Sequence, residues 1–144
     1  KTDCLEKLIY QINPQCEVTK LTQKFDENFF SENPDYIIDA IDDVPSKISL
    51  IEKAITYKIP FISSMGAAKK TNPEKVEITT INKTSYDPIA RILRNRFKNH
   101  NFPVVSSTEE VKSSKLGSYM PVTSTFGLLL SDYIMKQILQ KGLQ

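Results

Sequence analysis

Glycine is scarce in this 144-residue chain: Gly66, Gly117, Gly127 and Gly142 are the only four. No two stand close enough to build a GxGxxG or GxxxxGK phosphate loop, so neither motif lies within it. Cysteine is scarcer still. Cys4 and Cys16 have no CxxC partner, which excludes a zinc site or a secreted disulfide framework and reads as two reduced thiols. Tryptophan is absent, and the single histidine, His100, has no serine or cysteine nucleophile motif to serve, so no catalytic triad is argued. No apolar run approaches the roughly 18 residues of a membrane span, and no signal-peptide pattern opens the chain. Neither sign of charge dominates. Nineteen Lys and Arg against 17 Asp and Glu give a net +2, so any nucleic-acid-binding surface must be local. What is left is ordinary globular composition, 40% hydrophobic and 25% charged, with length for one core.

Apolar periodicity supplies the elements. Leu5, Leu8, Ile9 and Ile12 predict an amphipathic helix from Asp3 to Ile12, stopped at Asn13-Pro14. A strand is expected from Cys16 to Leu21, then a polar connection over 24–33 with a short helix carrying Phe25, Phe29 and Phe30. Tyr36–Ile41 reads as a strand covered on both faces, as in a parallel sheet. Pro45 opens a helix to about Tyr57, with Ile48, Ile51 and Ile55 on its buried stripe. Ile59–Ser64 is the next strand, completing a βαβ unit. Val76, Ile78 and Thr80 alternate as a half-exposed strand. Thr84 or Ser85 is expected to cap a helix from Asp87 to about Lys98. Phe102–Ser107 is a strand, Lys112–Ser118 a mobile loop, and Thr123–Gln140 a long helix burying Phe126, Leu129, Leu130, Ile134 and Ile138.

Ligands of open α/β sheets bind beyond the carboxyl ends of the strands. Asp39 and Asp42, with Asp43 adjacent, bracket one such end and suit a magnesium ion shared with nucleotide phosphates. The same aspartates also suit a helix cap in a solvated turn. Ser64–Ala68, around Gly66, is a small-residue loop that either admits a ligand close to the backbone or is a plain tight turn. Arg91, Arg94, Arg96 and Lys98 make one helix end basic. That end is either a solvated face favoured by the helix dipole or a contact for tRNA phosphates.

Three stretches together resemble the ubiquitin-activating-like adenylating enzymes, the MoeB, ThiF and HesA group. They are Lys1 followed by a helix and Ile12-Asn13-Pro14, the run Ile38-Asp39-Ala40-Ile41-Asp42-Asp43, and Lys58-Ile59-Pro60-Phe61-Ile62-Ser63-Ser64. Later residues are similar to one branch, the tRNA threonylcarbamoyladenosine dehydratases. These are Thr84–Ala90 with Leu93–Lys98, Val105-Ser106-Ser107-Thr108-Glu109, and Gly117-Ser118 with Pro121–Gly127.

The resemblance implies an α/β fold, the later half of a Rossmann-like, mainly parallel sheet with helices on both faces. Residues 1–144 would form a single incomplete adenylation domain whose glycine-loop portion is absent. It implies ATP and Mg2+ as cofactors, with Lys1 and Asp42 as catalytic residues and Asp42 as the metal ligand. Lys1, Asp39, Asp42, Asp43 and Gly66 would face the cofactor. The implied activity is ATP-dependent dehydration, a cyclisation, of threonylcarbamoyladenosine in tRNA, by a homodimer held inside the cell. A cytoplasmic location is favoured, with mitochondrial association open. This chain alone is expected to bind ATP weakly and to be inactive. Two rivals stand: activation of a ubiquitin-like or sulfur-carrier C-terminus, and a non-catalytic fragment or pairing subunit. The first loses support because Val104 stands where some relatives carry a cysteine. The second draws on the missing phosphate loop. Met65 also departs from the family's small loop and is expected to narrow the approach to the nucleotide.

Overall fold

The computed structural model describes residues 2–23, 25, 34–111 and 117–142. Helix α1 (Thr2–Ile12) is followed by β1 (Ile37–Asp39), α2 (Val44–Thr56), β2 (Phe61–Ser64) and β3 (Val76–Thr80). Helix α3 (Pro88–Arg96), β4 (Pro103–Ser107) and α4 (Met120–Gly142) complete the chain. The strand order is β1-β2-β4-β3, with β1, β2 and β4 parallel and β3 antiparallel to β4. The sheet is therefore mainly parallel, as expected, with one antiparallel edge.

Alternation along the strands assigns the two faces. Phe61 and Val104 point toward α2 and α3, where Ile51, Ala90, Leu93 and Phe97 form a buried cluster. Ile62, Val76 and Val105 point the other way, onto Val122, Phe126, Leu130 and Ile134 of α4. Each such fully buried aliphatic or aromatic side chain contributes about 1.5–3 kcal/mol. Helices thus cover both faces of the sheet.

Several expectations need correction. Residues 16–21 form no strand; a strand needs a neighbour to pair with, and Lys20 instead reaches back to Asp3 and Glu6 of α1 at 2.7 Å each. β1 spans only Ile37–Asp39 and is not covered on both faces. Among the described residues it is an edge strand, and Ile38, on the α4 side of the sheet, is 46% exposed. Asp87, not Thr84 or Ser85, caps α3: its Oδ1 accepts from the Ala90 N–H at 2.7 Å. α3 ends at Arg96, and α4 starts at Met120. Ile138 is 45% exposed, because the 23 residues of α4 span about 34 Å and outrun strands of three to five residues. The expected short helix and mobile loop lie largely outside the described residues, as do Phe29 and Phe30.

Candidate active site

Because β1, β2 and β4 run parallel, their carboxyl ends share one edge of the sheet. Asp39 ends β1, Ser63 and Ser64 end β2, and Ser106 and Ser107 end β4. Asp39 is 1% exposed and Lys47, from the first turn of α2, is fully buried. Their side chains meet at 2.7 Å. Lys47 Nζ also donates to Ser63 Oγ at 3.2 Å and to the Ser64 carbonyl at 2.9 Å, so its three protons each have an acceptor. Ser63 Oγ in turn donates to Asp39 Oδ2 at 2.5 Å, and Asp39 Oδ1 accepts from the Ile41 N–H at 3.0 Å. Taking both charges out of water is costly, and only such complete hydrogen bonding offsets it. Burial pulls the Lys47 ammonium below its ordinary pKa, while Asp39, then Asp87 and Asp42, pull it back up.

This network fixes the chain just beyond β1. Asp39 holds the Ile41 N–H on one side, and Asp43 caps α2 on the other, its Oδ2 accepting from the Ser46 N–H at 3.0 Å. Between these two fixed points, Asp42 is exposed at the strand end. The helix cap anticipated for this run is therefore Asp43, which leaves Asp42 available. Asp42 and Asp43 also line a cavity of about 680 Å³ along the open edge of β1, with Phe25, Tyr36, Ile38 and Ile41 among its walls.

The loop after β2 is tied to α3. The Gly66 N–H donates to Asp87 Oδ2 at 2.8 Å, so both oxygens of this buried carboxylate accept from backbone. A Cβ on Gly66 would lie 2.7 Å from Asp87 Oδ2, closer than real Cβ contacts come. The observed need for glycine is thus a close approach to Asp87. Met65 turns into the α2–α3 core, 4% exposed, rather than outward from the loop.

A second buried lysine braces the same edge. Lys70 Nζ donates to the carbonyls of Ser107 at 3.2 Å and Glu109 at 3.1 Å, and burial lowers its pKa. The Glu109 carboxylate accepts from the Thr71 and Asn72 N–H groups and from Thr71 Oγ1. The Asn72 bond is the largest of the causes that hold its pKa below the ordinary range. Ser106 Oγ is buried without a hydrogen-bond partner among the described residues.

Sequence reasoning singled out Asp39, Asp42, Asp43 and Gly66, and the structure brings the three aspartates together around one strand end. It missed Lys47 and Lys70. Lys47 had a usable signal: with Leu50, Ile51 and Ala54 it completes an i, i+3, i+4, i+7 stripe, and all four are buried. Lys1 lies outside the described residues. The basic cluster divides. Arg94 Nη1 donates to the Thr84 carbonyl at 2.9 Å and to Thr84 Oγ1, Arg96 pairs with Glu52 of α2 at 2.6 Å, and Arg91 and Lys98 are exposed.

Among the described residues no group of three or more His, Cys, Asp or Glu side chains is placed to hold a metal by itself. A single exposed aspartate fits magnesium in its usual nucleotide setting, where one or two carboxylates share the ion with phosphates. No helix of the described residues is long and apolar enough to cross a membrane.

Known proteins share this fold. The chain is 43% identical over 102 residues to the tRNA threonylcarbamoyladenosine dehydratase of Bacillus subtilis, covering 68% of this chain and 40% of that protein. It is 35% identical over 113 residues to the Escherichia coli dehydratase, covering 76% and 42% respectively. The matched segments span about two fifths of the length of these relatives. The fold superposes on the E. coli dehydratase TcdA in complex with AMP with a TM-score of 0.89 at 31% identity, and on its ATP complex with 0.90 at 30%. Each alignment covers 99% of this chain and 65% of the other. A model described as the ThiF family matches residues 1–144, and the chain belongs to that family.

Proposed function

We propose that this chain carries the magnesium side of an ATP site in a protein that dehydrates threonylcarbamoyladenosine in tRNA. The observation that carries the proposal is the exposure of Asp42 at the carboxyl end of β1, while Asp39 and Asp43 on either side are engaged in structure. Magnesium held there with ATP phosphates would neutralise charge on the departing pyrophosphate. The threonylcarbamoyl carboxylate attacks the α-phosphorus, pyrophosphate leaves, and an acyl adenylate results. A nucleophilic atom of the same modification then attacks the acyl carbon, and AMP departs with the former carboxylate oxygen. The substrate loses the elements of one water and gains a ring.

In this mechanism Asp42 holds its charge at the strand end, and Asp39 and Lys47 keep that end in place. Asp43 and Gly66 build the edge through the α2 cap and the Asp87 contact. Lys1 neutralises phosphate charge. Arg91 and Lys98, exposed and in no ion pair among the described residues, supply tRNA phosphate contacts. Pairing as a homodimer is part of the proposal, and exposed Leu128, Met135 and Leu139 on α4 offer it an apolar face. The names of the relatives and the likeness to ATP- and AMP-bound TcdA support the substrate and cofactor.

The test is direct. The full-length protein, incubated with ATP and tRNA carrying threonylcarbamoyladenosine, is expected to release AMP and to lower the mass of the modified nucleoside by one water. An unchanged nucleoside mass contradicts the proposal. By calorimetry, the isolated chain is expected to bind ATP weakly or not at all.

A further inference from the structure

Tyr86 holds a backbone conformation that is expensive for its residue type. Its φ is 53°, in the left-handed region where a bulky side chain is an outlier and Gly or Asn is comfortable. The turn has a structural purpose, since it delivers Asp87 to the N–H groups of both Gly66 and Ala90. Glycine or asparagine would make that turn at lower cost. The turn therefore accounts for the conformation of residue 86 but not for its aromatic ring. That ring lies outside the three hydrophobic clusters, in a residue 57% exposed.

Around the ring the surface is shaped and charged. Tyr86, Asp87, Pro88, Arg91 and Arg94 line a hollow of about 250 Å³. This is below the range that engulfs a drug-sized ligand, so it suits a group that lies against it and continues outside. Arg94 is pinned to Thr84 and forms a fixed wall, whereas Arg91, one helical turn earlier, is exposed. Asp87 has both oxygens taken by backbone N–H groups. The hollow thus combines an aromatic face with one guanidinium pinned to Thr84 and one in no ion pair among the described residues. Through the Gly66–Asp87 bond it adjoins the edge that carries the nucleotide chemistry.

We propose that Tyr86 is a stacking platform for one unpaired base of an RNA loop, with Arg91 and Arg94 taking the neighbouring phosphates. Splayed loop bases are recognised by aromatic stacking, and arginines beside the ring hold the backbone without reading sequence. The proposal rests on the tRNA substrate proposed above and deepens it by naming where the loop docks.

The experiment measures binding of a labelled anticodon stem-loop carrying threonylcarbamoyladenosine to full-length protein. Tyr86→Asn is expected to weaken binding about tenfold, the scale of one lost stack, while its melting temperature stays equal or rises because asparagine relieves the turn. Tyr86→Phe retains binding. Arg91→Ala weakens binding and lowers the slope of log affinity against log salt by about one. Binding by Tyr86→Asn within twofold of the parent overturns the proposal. So does early melting of Tyr86→Asn, which would mean that the ring is held by packing. If the parent dehydrates modified tRNA yet Tyr86→Asn binds normally, only the docking surface is wrong. If the parent neither binds the stem-loop nor alters the nucleoside, the tRNA reading fails with it.

Discussion

Asp39 and Asp42 stand three residues apart at the end of one strand and occupy opposite surroundings. Asp39 is shut away from water with Lys47 and Ser63, both its oxygens engaged, whereas Asp42 is open to solvent. A carboxylate whose lone pairs are already committed inside the protein has little left for a ligand. An exposed one held between two fixed neighbours has much more. The comparison teaches a division of labour within one short motif: Asp39 builds the strand end, and Asp42 presents charge from it.

That division predicts a graded series of stability losses in the full-length protein. The largest is for Asp39→Ala, which strands a buried ammonium and is expected to cost about 3–5 kcal/mol in urea unfolding. Adding Lys47→Met to it should cost less than the sum of the two single changes, because the charge left behind is then gone as well. If Asp39→Ala is nearly neutral, the buried pair does not brace the edge. Next comes Gly66→Ala. Its methyl would press on Asp87 Oδ2 at 2.7 Å, and the expected loss is about 1–3 kcal/mol by thermal unfolding.

Glu109 gives a smaller effect that depends on pH. Its folded pKa is depressed, mainly by the Asn72 N–H, so its contribution is present above the unfolded value of about 4.3 and disappears as pH falls through the lower folded value. Glu109→Gln should remove part of the acid-side loss of stability, and an unchanged acid limb would show that the 70–72 loop does not depend on this charge. Smallest is the exposed Arg96–Glu52 pair, for which Glu52→Gln should cost no more than about 1 kcal/mol and less at high salt.

Most of the element order was legible because the apolar spacing of α2, α3 and α4 and the short β-rich runs agree with where each element finally packs. The failures share a cause: sequence states what a segment prefers, not which neighbours it has. Cys16–Leu21 has acceptable strand residues but pairs with no strand among the described residues. Ile38 reads as buried, yet among the described residues it sits on an edge strand, 46% exposed. Ile138 continues a perfect helical stripe past the end of the sheet it would cover. At the site, the aspartates announced themselves, but which of them was free depended on Lys47. A lysine heading an apolar stripe is readable as buried, although its partner is set by tertiary packing. Gly66 stands in a small-residue loop that suits either a ligand's approach or a plain tight turn, and its N–H meets Asp87, 21 residues away.

The most direct measurement compares Asp42→Asn with the parent full-length protein for dehydration of threonylcarbamoyladenosine in tRNA, with thermal unfolding followed alongside. The predicted result is loss of activity with a nearly unchanged melting temperature, since Asp42 is exposed and makes no hydrogen bond or ion pair among the described residues. Retained turnover would contradict the account, and so would lost turnover accompanied by a melting temperature as low as that of Asp39→Ala.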